Sequence, residues 1–449
     1  MLEVREPTHE GLLAEIWCRQ WLVKGRLLAT DGQGLEIIHP GEANGDSGPD
    51  FRDAIIAAEA GEVRGDVELH VRSSGWRAHG HHLDPAYNGV VLHVALWEDG
   101  AGTVQLQSGR TVPTLALHPY LSLSLDELER RAKVPMLPAE PCLQARESLG
   151  DAALGRLLDR AGMERFRAKA SRFRRWLAML PPAEALYQGL MEALGYARNQ
   201  EPFLELARRL PLAAVEAHAP SSPFPDEALC LEALLLGSAG LLPSQRGWAL
   251  PDEGYVAEVE AAWLSMGRKA LLSSQAWHTF RVRPDNFPTR RLAAAARLML
   301  RYHRGLIEGL MQAVSNAEGG LQGLEGALVI GAEGYWGEHI DFGHPAPPRA
   351  LLGRGRAADM AVNVMLPFGF AWAEASGDQG LKARTLGLYE LYPRLSPNRV
   401  TRKMEEHLSA GGPAIAGSAC RQQGLIHIHS VLCRGHRCPE CPLGGHVSG

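Results

Sequence analysis

The chain lacks any uninterrupted apolar run near the ~18 residues that a membrane-spanning helix requires. Its richest stretch, Leu231 to Leu242, is too short. The first residues, Met1-Leu2-Glu3-Val4-Arg5-Glu6, carry acidic side chains and no apolar h-region, so no secretory signal is expected. Both absences point to a cytoplasmic protein with no membrane partner. An excess of positive charge is also missing. The net charge is −5, with 18 histidines left neutral, which excludes the all-over basic field of a general nucleic-acid binder and leaves only a local surface for that role. No repeat of fixed period occurs, so a solenoid is not expected. Cysteines number only seven, and in a reducing compartment a cluster of them indicates metal or redox chemistry rather than disulfides.

What is present is ordinary in amount and uneven in distribution. The 449 residues are 45% hydrophobic and 22% charged, enough for a substantial core and for two to four domains at roughly 100–200 residues each. Up to about Pro138, short strand-like runs alternate with Gly, Asp and Asn. Leu12 to Leu28 reads as an opening helix with Trp17 and Trp21 on one face, and Leu35 to His39 as a strand. Phe51 to Ala58 and Val63 to Arg72 read as a hairpin joined at Gly61. Val90 to Trp97 is nearly continuous in apolar residues, as in a strand buried on both faces of a mixed sheet. Val104 to Pro113 reads as an edge hairpin around Ser108-Gly109. After the proline-rich stretch 135–141, Leu, Ala, Arg and Glu recur at helical intervals to Leu408, punctuated by Pro and Gly. The expectation is an α+β protein: a mixed-sheet domain over 1–138, an α-helical domain over 139–419 and a Cys-rich metal-binding tail over 420–449.

The densest polar chemistry lies in His39-Pro40-Gly41-Glu42-Ala43-Asn44-Gly45-Asp46-Ser47-Gly48-Pro49-Asp50 and in Asp66-Val67-Glu68-Leu69-His70. Glu68 and His70 alternate with Val67, Leu69 and Val71, so both point to one face of a strand. Hairpin pairing brings Asp50 toward that face. Two carboxylates meeting at a sheet end make a hard oxygen site for Mg²⁺ or Mn²⁺, and a polar group two residues beyond the Glu can position a metal-bound water. Further histidines, His79, His81, His82 and His93, follow in the next helix and strand.

Near the carboxyl end, Cys420-x12-Cys433-x4-Cys438-x2-Cys441 gathers four of the seven cysteines. Four thiolates suit tetrahedral Zn²⁺ or a [4Fe–4S] cluster. The single Cys-x2-Cys pair, with Pro439 and Pro442 just after ligands, leans toward iron–sulfur, while His427, His429 and His436 keep mixed Cys/His zinc ligation open. Cys18, Cys142 and Cys230 sit in apolar or linker contexts and read as core residues.

Two basic segments are candidates for nucleic-acid contact. Arg172, Arg174 and Arg175 close a run of Arg and Lys interleaved with Phe166, Phe173 and Trp176, although such runs are commonly a helix's solvated face. Arg283, Arg290 and Arg291 lie in Arg281-Val282-Arg283-Pro284-Asp285-Asn286-Phe287-Pro288-Thr289-Arg290-Arg291, a segment stiffened by two prolines. Asp341 and Asn363 read as buried polar residues that order helix packing.

The order of elements, with Pro49-Asp50 and then Glu68-Leu69-His70, resembles the PD-(D/E)xK nuclease core, a restriction-endonuclease-like mixed sheet flanked by helices. Glu15 then stands for the helix carboxylate that some members use. His70 occupies the position of the pattern's Lys, and a neutral imidazole lacks that residue's permanent charge. The resemblance implies a metal-dependent nuclease acting on DNA, with Asp50 and Glu68 as ligands and His70 positioning water. The departure implies the alternative, a catalytically inactive nucleic-acid-binding or scaffold protein. A third reading gives His39, His70 or His79 to a transition metal.

The run His39-Pro40-Gly41, Gly48-Pro49-Asp50-Phe51, Val67-Glu68-Leu69-His70, Trp76, His79-Gly80-His81, Asp84-Pro85-Ala86-Tyr87 and Val91-Leu92-His93-Val94 resembles the bacterial family DUF2851. So do Gly195-Tyr196 with Asn199, Ala233 to Leu242, Asn286-Phe287-Pro288 with Arg291, and Gly424-Leu425-Ile426 with the terminal cysteines. The likeness runs along nearly the whole chain. It implies membership and no mechanism, because the family's role is not established.

Overall fold

A computed structural model describes residues 10–23, 25, 27–44, 47–58, 61–100, 102–132, 142, 145–218, 226–249, 254–280, 282–316, 320–409, 412–435 and 437–444. The chain divides into two compact units, Met1–Pro138 and Ala139–Gly449. The first is built on a mixed sheet and the second is helical.

In the first unit, α1 (Glu10–Arg19) buries Leu13, Ile16 and Trp17. The helix expected to reach Leu28 stops at Arg19. Gln20 takes a left-handed φ of 49°, and the chain turns into β1 (Leu27–Leu28), which pairs with β2 (Gly34–His39). β3 (Glu42–Ala43) pairs with β4 (Phe51–Ala58), and β4 forms the hairpin with β5 (Gly61–Arg72). A short helix, α2 (Gly75–Ala78), and two 3₁₀ turns lead to β6 (Val90–Trp97), which runs parallel to β5. β7 (Thr103–Gln105) and β8 (Thr111–Ala116) form the last hairpin. The strand order is β1-β2-β4-β5-β6-β8-β7, so β8 is interior and only β7 forms that edge.

Alternation along β5 and β6 assigns the two faces. Val67, Leu69, Leu92 and Val94 pack with α1 and with Leu128 of α3 (Leu125–Ala132) in one apolar cluster. The other face carries Glu68, His70 and His93 beside a smaller cluster of Trp76, Tyr87, Val90, Val104, Leu106 and Val112. A register shift between Phe51 and Ala54, with Asp53 at φ 58°, puts both of those apolar residues in the core although they are three apart. That is the usual effect of a β-bulge, which re-aims side chains beside it.

The helical unit opens with α4 (Ala145–Leu177), broken at Gly150, whose φ of 73° and ψ of 158° are not helical. Glu227–Arg246, around the sequence's richest apolar stretch, is long and apolar enough to cross a membrane, yet it is mostly buried inside the protein. The last long helix, Ala419–Val431, packs on α4 through small residues. A Cβ on Gly162 would meet the Cys420 carbonyl oxygen at 2.1 Å, and one on Gly424 would meet the Leu158 oxygen at 2.2 Å. Moving from 420 to 424 on one helix moves from 162 to 158 on the other, so the two run antiparallel.

Candidate functional site

Asp50 ends the loop before β4, at the point where that strand parts from β5. Its main-chain N–H donates to Glu68 Oε2 at 2.9 Å, and its own Oδ2 accepts from the Leu69 N–H at 3.0 Å. The two carboxylates are thus locked together through main-chain groups, each by one oxygen. Burial, and then the charge of Glu68, push the Asp50 carboxyl up to about 6. A proton held there in place of a cation is the expected response of two acidic groups brought together in a poorly solvated site.

Parallel pairing aligns Glu68 with His93, and His93 with Thr114 on β8. His70, His93 and Thr114 are almost fully buried and form a chain. His70 Nδ1 lies 3.0 Å from His93 Nε2, and His93 Nδ1 lies 3.1 Å from Thr114 Oγ1. On its other side His70 Nε2 lies 3.2 Å from Nδ1 of His79, which is exposed and marks the open side of the cluster. His81 brings Nε2 to 3.2 Å from Glu68 Oε1 and lies against Tyr87, ring centroids 3.9 Å apart. Ligand atoms of His70, His79 and His81 lie within 4.8 Å of one another. Gly75 makes room for them, since a Cβ there would stand 2.5 Å from the His70 ring.

Burial, followed by the neighbouring histidines, lowers the His70 pKa to about 3; burial and His81 lower His93 to about 4. Both rings are therefore neutral near pH 7. A neutral chain has two proton orders. When His93 donates to Thr114 and His70 donates to His93, Nε2 of His70 is left as a lone pair, which is the form a metal ligand requires.

Asp50, Glu68 and His70 thus fall together. On α1, Glu15 pairs with Arg19 at 2.6 Å, and Glu10, in the first turn, adds a smaller charge effect on Asp50. His39 accepts from the Gly41 N–H and is not among the three grouped histidines. Asp46 lies outside the described residues.

The cysteine quartet divides. Cys420 lies in the first turn of Ala419–Val431, so about 16 Å of helix separates it from the end that precedes Cys433. It is buried, its Sγ lies 3.4 Å from the Asp159 carbonyl, and burial pushes its thiol up to about 11. Cys433 and Cys438 lie in consecutive 3₁₀ turns, followed at once by the buried Cys441. His436 is outside the described residues.

The arginines divide as well. Arg172 forms a two-point ion pair with Glu192, at 2.9 and 2.7 Å. Arg174, Arg175 and Arg283 are exposed. Arg290 is 1% exposed, with its guanidinium on the carbonyls of Trp336, His339 and Arg349. Arg291 holds Leu351 O and Asn286 Oδ1, each at 2.8 Å, and burial lowers its pKa to about 9. The expectation that these two meet phosphate is corrected: both guanidinium groups are turned into the protein to satisfy internal oxygens. Arg281 lies outside the described residues. Asp341 pairs with Arg246 at 2.6 Å, and Asn363 accepts from Lys169 in a π-helical turn, Ala361–Met365.

No curated protein and no solved structure matches the chain. Residues 10–396 match the family model described as a protein of unknown function, DUF2851, and the chain belongs to that family.

Proposed function

We propose that the protein is a metal-dependent nuclease that hydrolyses phosphodiester bonds in DNA. The observation that carries this reading is the locked pair of Asp50 and Glu68 where β4 leaves β5, with His70 on the same face. The antiparallel run β2-β4-β5 followed by parallel β6 supports a restriction-endonuclease-like core. The crossover departs from it, being α2 and two 3₁₀ turns in place of a full helix. A divalent ion such as Mg²⁺ or Mn²⁺ on the two carboxylates would polarise the phosphate and supply a bound hydroxide. His70, too weak a base in this burial to remove the proton unaided, orients the water. Mg²⁺-, Mn²⁺- and Zn²⁺-dependent cleavage of single- and double-stranded DNA by metal-stripped, reloaded protein tests the reading. Asp50→Asn and Glu68→Gln keep the shapes and the main-chain bonds. Each is expected to abolish cleavage while the unfolding midpoint changes little; cleavage surviving in both overturns the nuclease. DNA binding without cleavage under every metal selects the inactive nucleic-acid-binding protein.

The histidines favour one variant of this reading. The 3.2 Å between His70 Nε2 and His79 Nδ1 is close to the ~3.3 Å edge of a tetrahedron with metal–nitrogen bonds of about 2.0–2.1 Å. That supports a transition metal on His70, His79 and His81 beside Glu68. Zn²⁺ or Mn²⁺ retained by the wild type and lost in His79→Ala would distinguish it from a carboxylate-only Mg²⁺ site.

A further inference from the structure

Arg165, Lys169 and Arg172 recur at i, i+4 and i+7 along α4, so they share one face of that helix. The face is covered rather than solvated. The close approach of Ala419–Val431 sets Gln423 against it, and Gln423 Oε1 accepts from Arg165 Nε at 2.9 Å and from Lys169 Nζ at 3.0 Å. Lys169 also donates to Asn363 Oδ1 in the π-helical turn Ala361–Met365, a rare backbone form that recurs at functional sites. Asn363 Nδ2 donates to the Asp359 carbonyl at 2.7 Å, which fixes the amide with its oxygen toward the lysine.

Charge does not balance here. Two cationic groups meet on one neutral oxygen, and among the described residues no carboxylate is bonded to either. The acids whose charges reach Lys169 are Asp359 and Glu192. Asp359 pairs with Arg356 at 3.4 Å, and Glu192 is held at two points by Arg172. Burial, and then the charges of Arg165 and Arg172, hold the Lys169 amine well below the ordinary lysine range, the expected response of a cation without a counter-charge. Both Arg165 and Lys169 nevertheless keep partial exposure, so they line a recess that solvent reaches and not a closed core. Among the described residues nothing accepts from either Nη of Arg165, and Lys169 has a third N–H to give.

We infer that Arg165 and Lys169, held in place by Gln423 and Asn363, form an anion site that takes the terminal phosphate of a small molecule. The guanidinium offers its Nη pair to two phosphate oxygens, and the ammonium a point charge to a third. A recess between helical segments admits a phosphate at a molecule's end; a nucleic-acid backbone needs an exposed row of cations instead, such as Arg174 and Arg175. The bound phosphate supplies the missing counter-charge, and it does so without a metal, independently of the Asp50–Glu68 pair.

The full chain is titrated by calorimetry with inorganic phosphate and with a 5′-nucleoside monophosphate, before and after chelation of metal. One anion per chain is expected in both conditions. Tighter inorganic phosphate identifies the free ion as the ligand, and a tighter monophosphate identifies a nucleotide. Arg165→Gln and Lys169→Met are each expected to weaken binding about tenfold or more, as loss of a hydrogen bond from a charged group does. Should either variant fail to fold, acetylation of wild type read by mass spectrometry replaces it, and phosphate should protect Lys169. Neither probe binding at millimolar concentration, binding undiminished in Arg165→Gln, Lys169 acetylated at one rate with and without phosphate, or binding abolished by chelation overturns the assignment.

Discussion

Burial decides what the imidazoles of the sheet face can do. His70 and His93 stay neutral far below the ordinary histidine range, while Asp50 keeps its proton up to about 6. These shifts have opposite effects on stability. Below about pH 6.5 the unfolded chain protonates both histidines and the metal-free fold does not, so stability falls as pH drops, by up to about 1.4 kcal/mol per pH unit for each ring. Asp50 acts the other way: between about pH 4 and 6 the fold holds a proton that the unfolded chain has released, so its contribution is lost as pH rises. Two against one leaves a net loss on acidification. Urea unfolding of chelator-treated protein across that window should show it, and His93→Gln should make the slope shallower by roughly 1.4 kcal/mol per pH unit. An unchanged slope in the variant would mean that His93 is not held neutral.

At the scale of elements, the strands were legible because alternation marks them. Expected and observed limits coincide for Phe51–Ala58 and Val90–Trp97. The carboxylate pair was legible too, since two strand-like runs parted by only a few residues pair as a hairpin. The joining of Glu68, His93 and Thr114 was not, because parallel register between segments far apart leaves no periodic trace in either one. Nor did the cysteine spacing reveal that a rigid helix stands between Cys420 and Cys433. The informative signal was small residues at helical positions: Gly162 and Gly424 fix the approach of that helix to α4. Gly424→Ala sets a methyl group 2.2 Å from the Leu158 oxygen. The overpacking cost of about 1–3 kcal/mol outweighs the ~1 kcal/mol gain in helix propensity. A lower unfolding midpoint is expected, and a higher one would show that the helices can part without loss.

For the whole molecule, charge has to be read by position, since the net value is −5 and any hold on DNA must come from a local surface. The structure separates arginines that share a segment in sequence. Arg174, Arg175 and Arg283 reach solvent, while Arg290 and Arg291 satisfy carbonyl and amide oxygens inside the helical unit. Proline-held segments with adjacent arginines look alike in a sequence whether the guanidinium faces out to phosphate or in to main chain; only burial tells them apart. Replacing Arg174 and Arg175 with Ala should leave the melting temperature nearly unchanged and reduce the steepness of log affinity against log salt by up to about 2, near 0.9 for each phosphate no longer neutralised. Replacing Arg290 with Ala strands the carbonyls of Trp336, His339 and Arg349, at about 1–3 kcal/mol for each buried group left unpaired. That variant should lose several kcal/mol of stability. A stable Arg290→Ala protein with a shallower salt slope would reverse the assignment and place this buried segment on the nucleic acid.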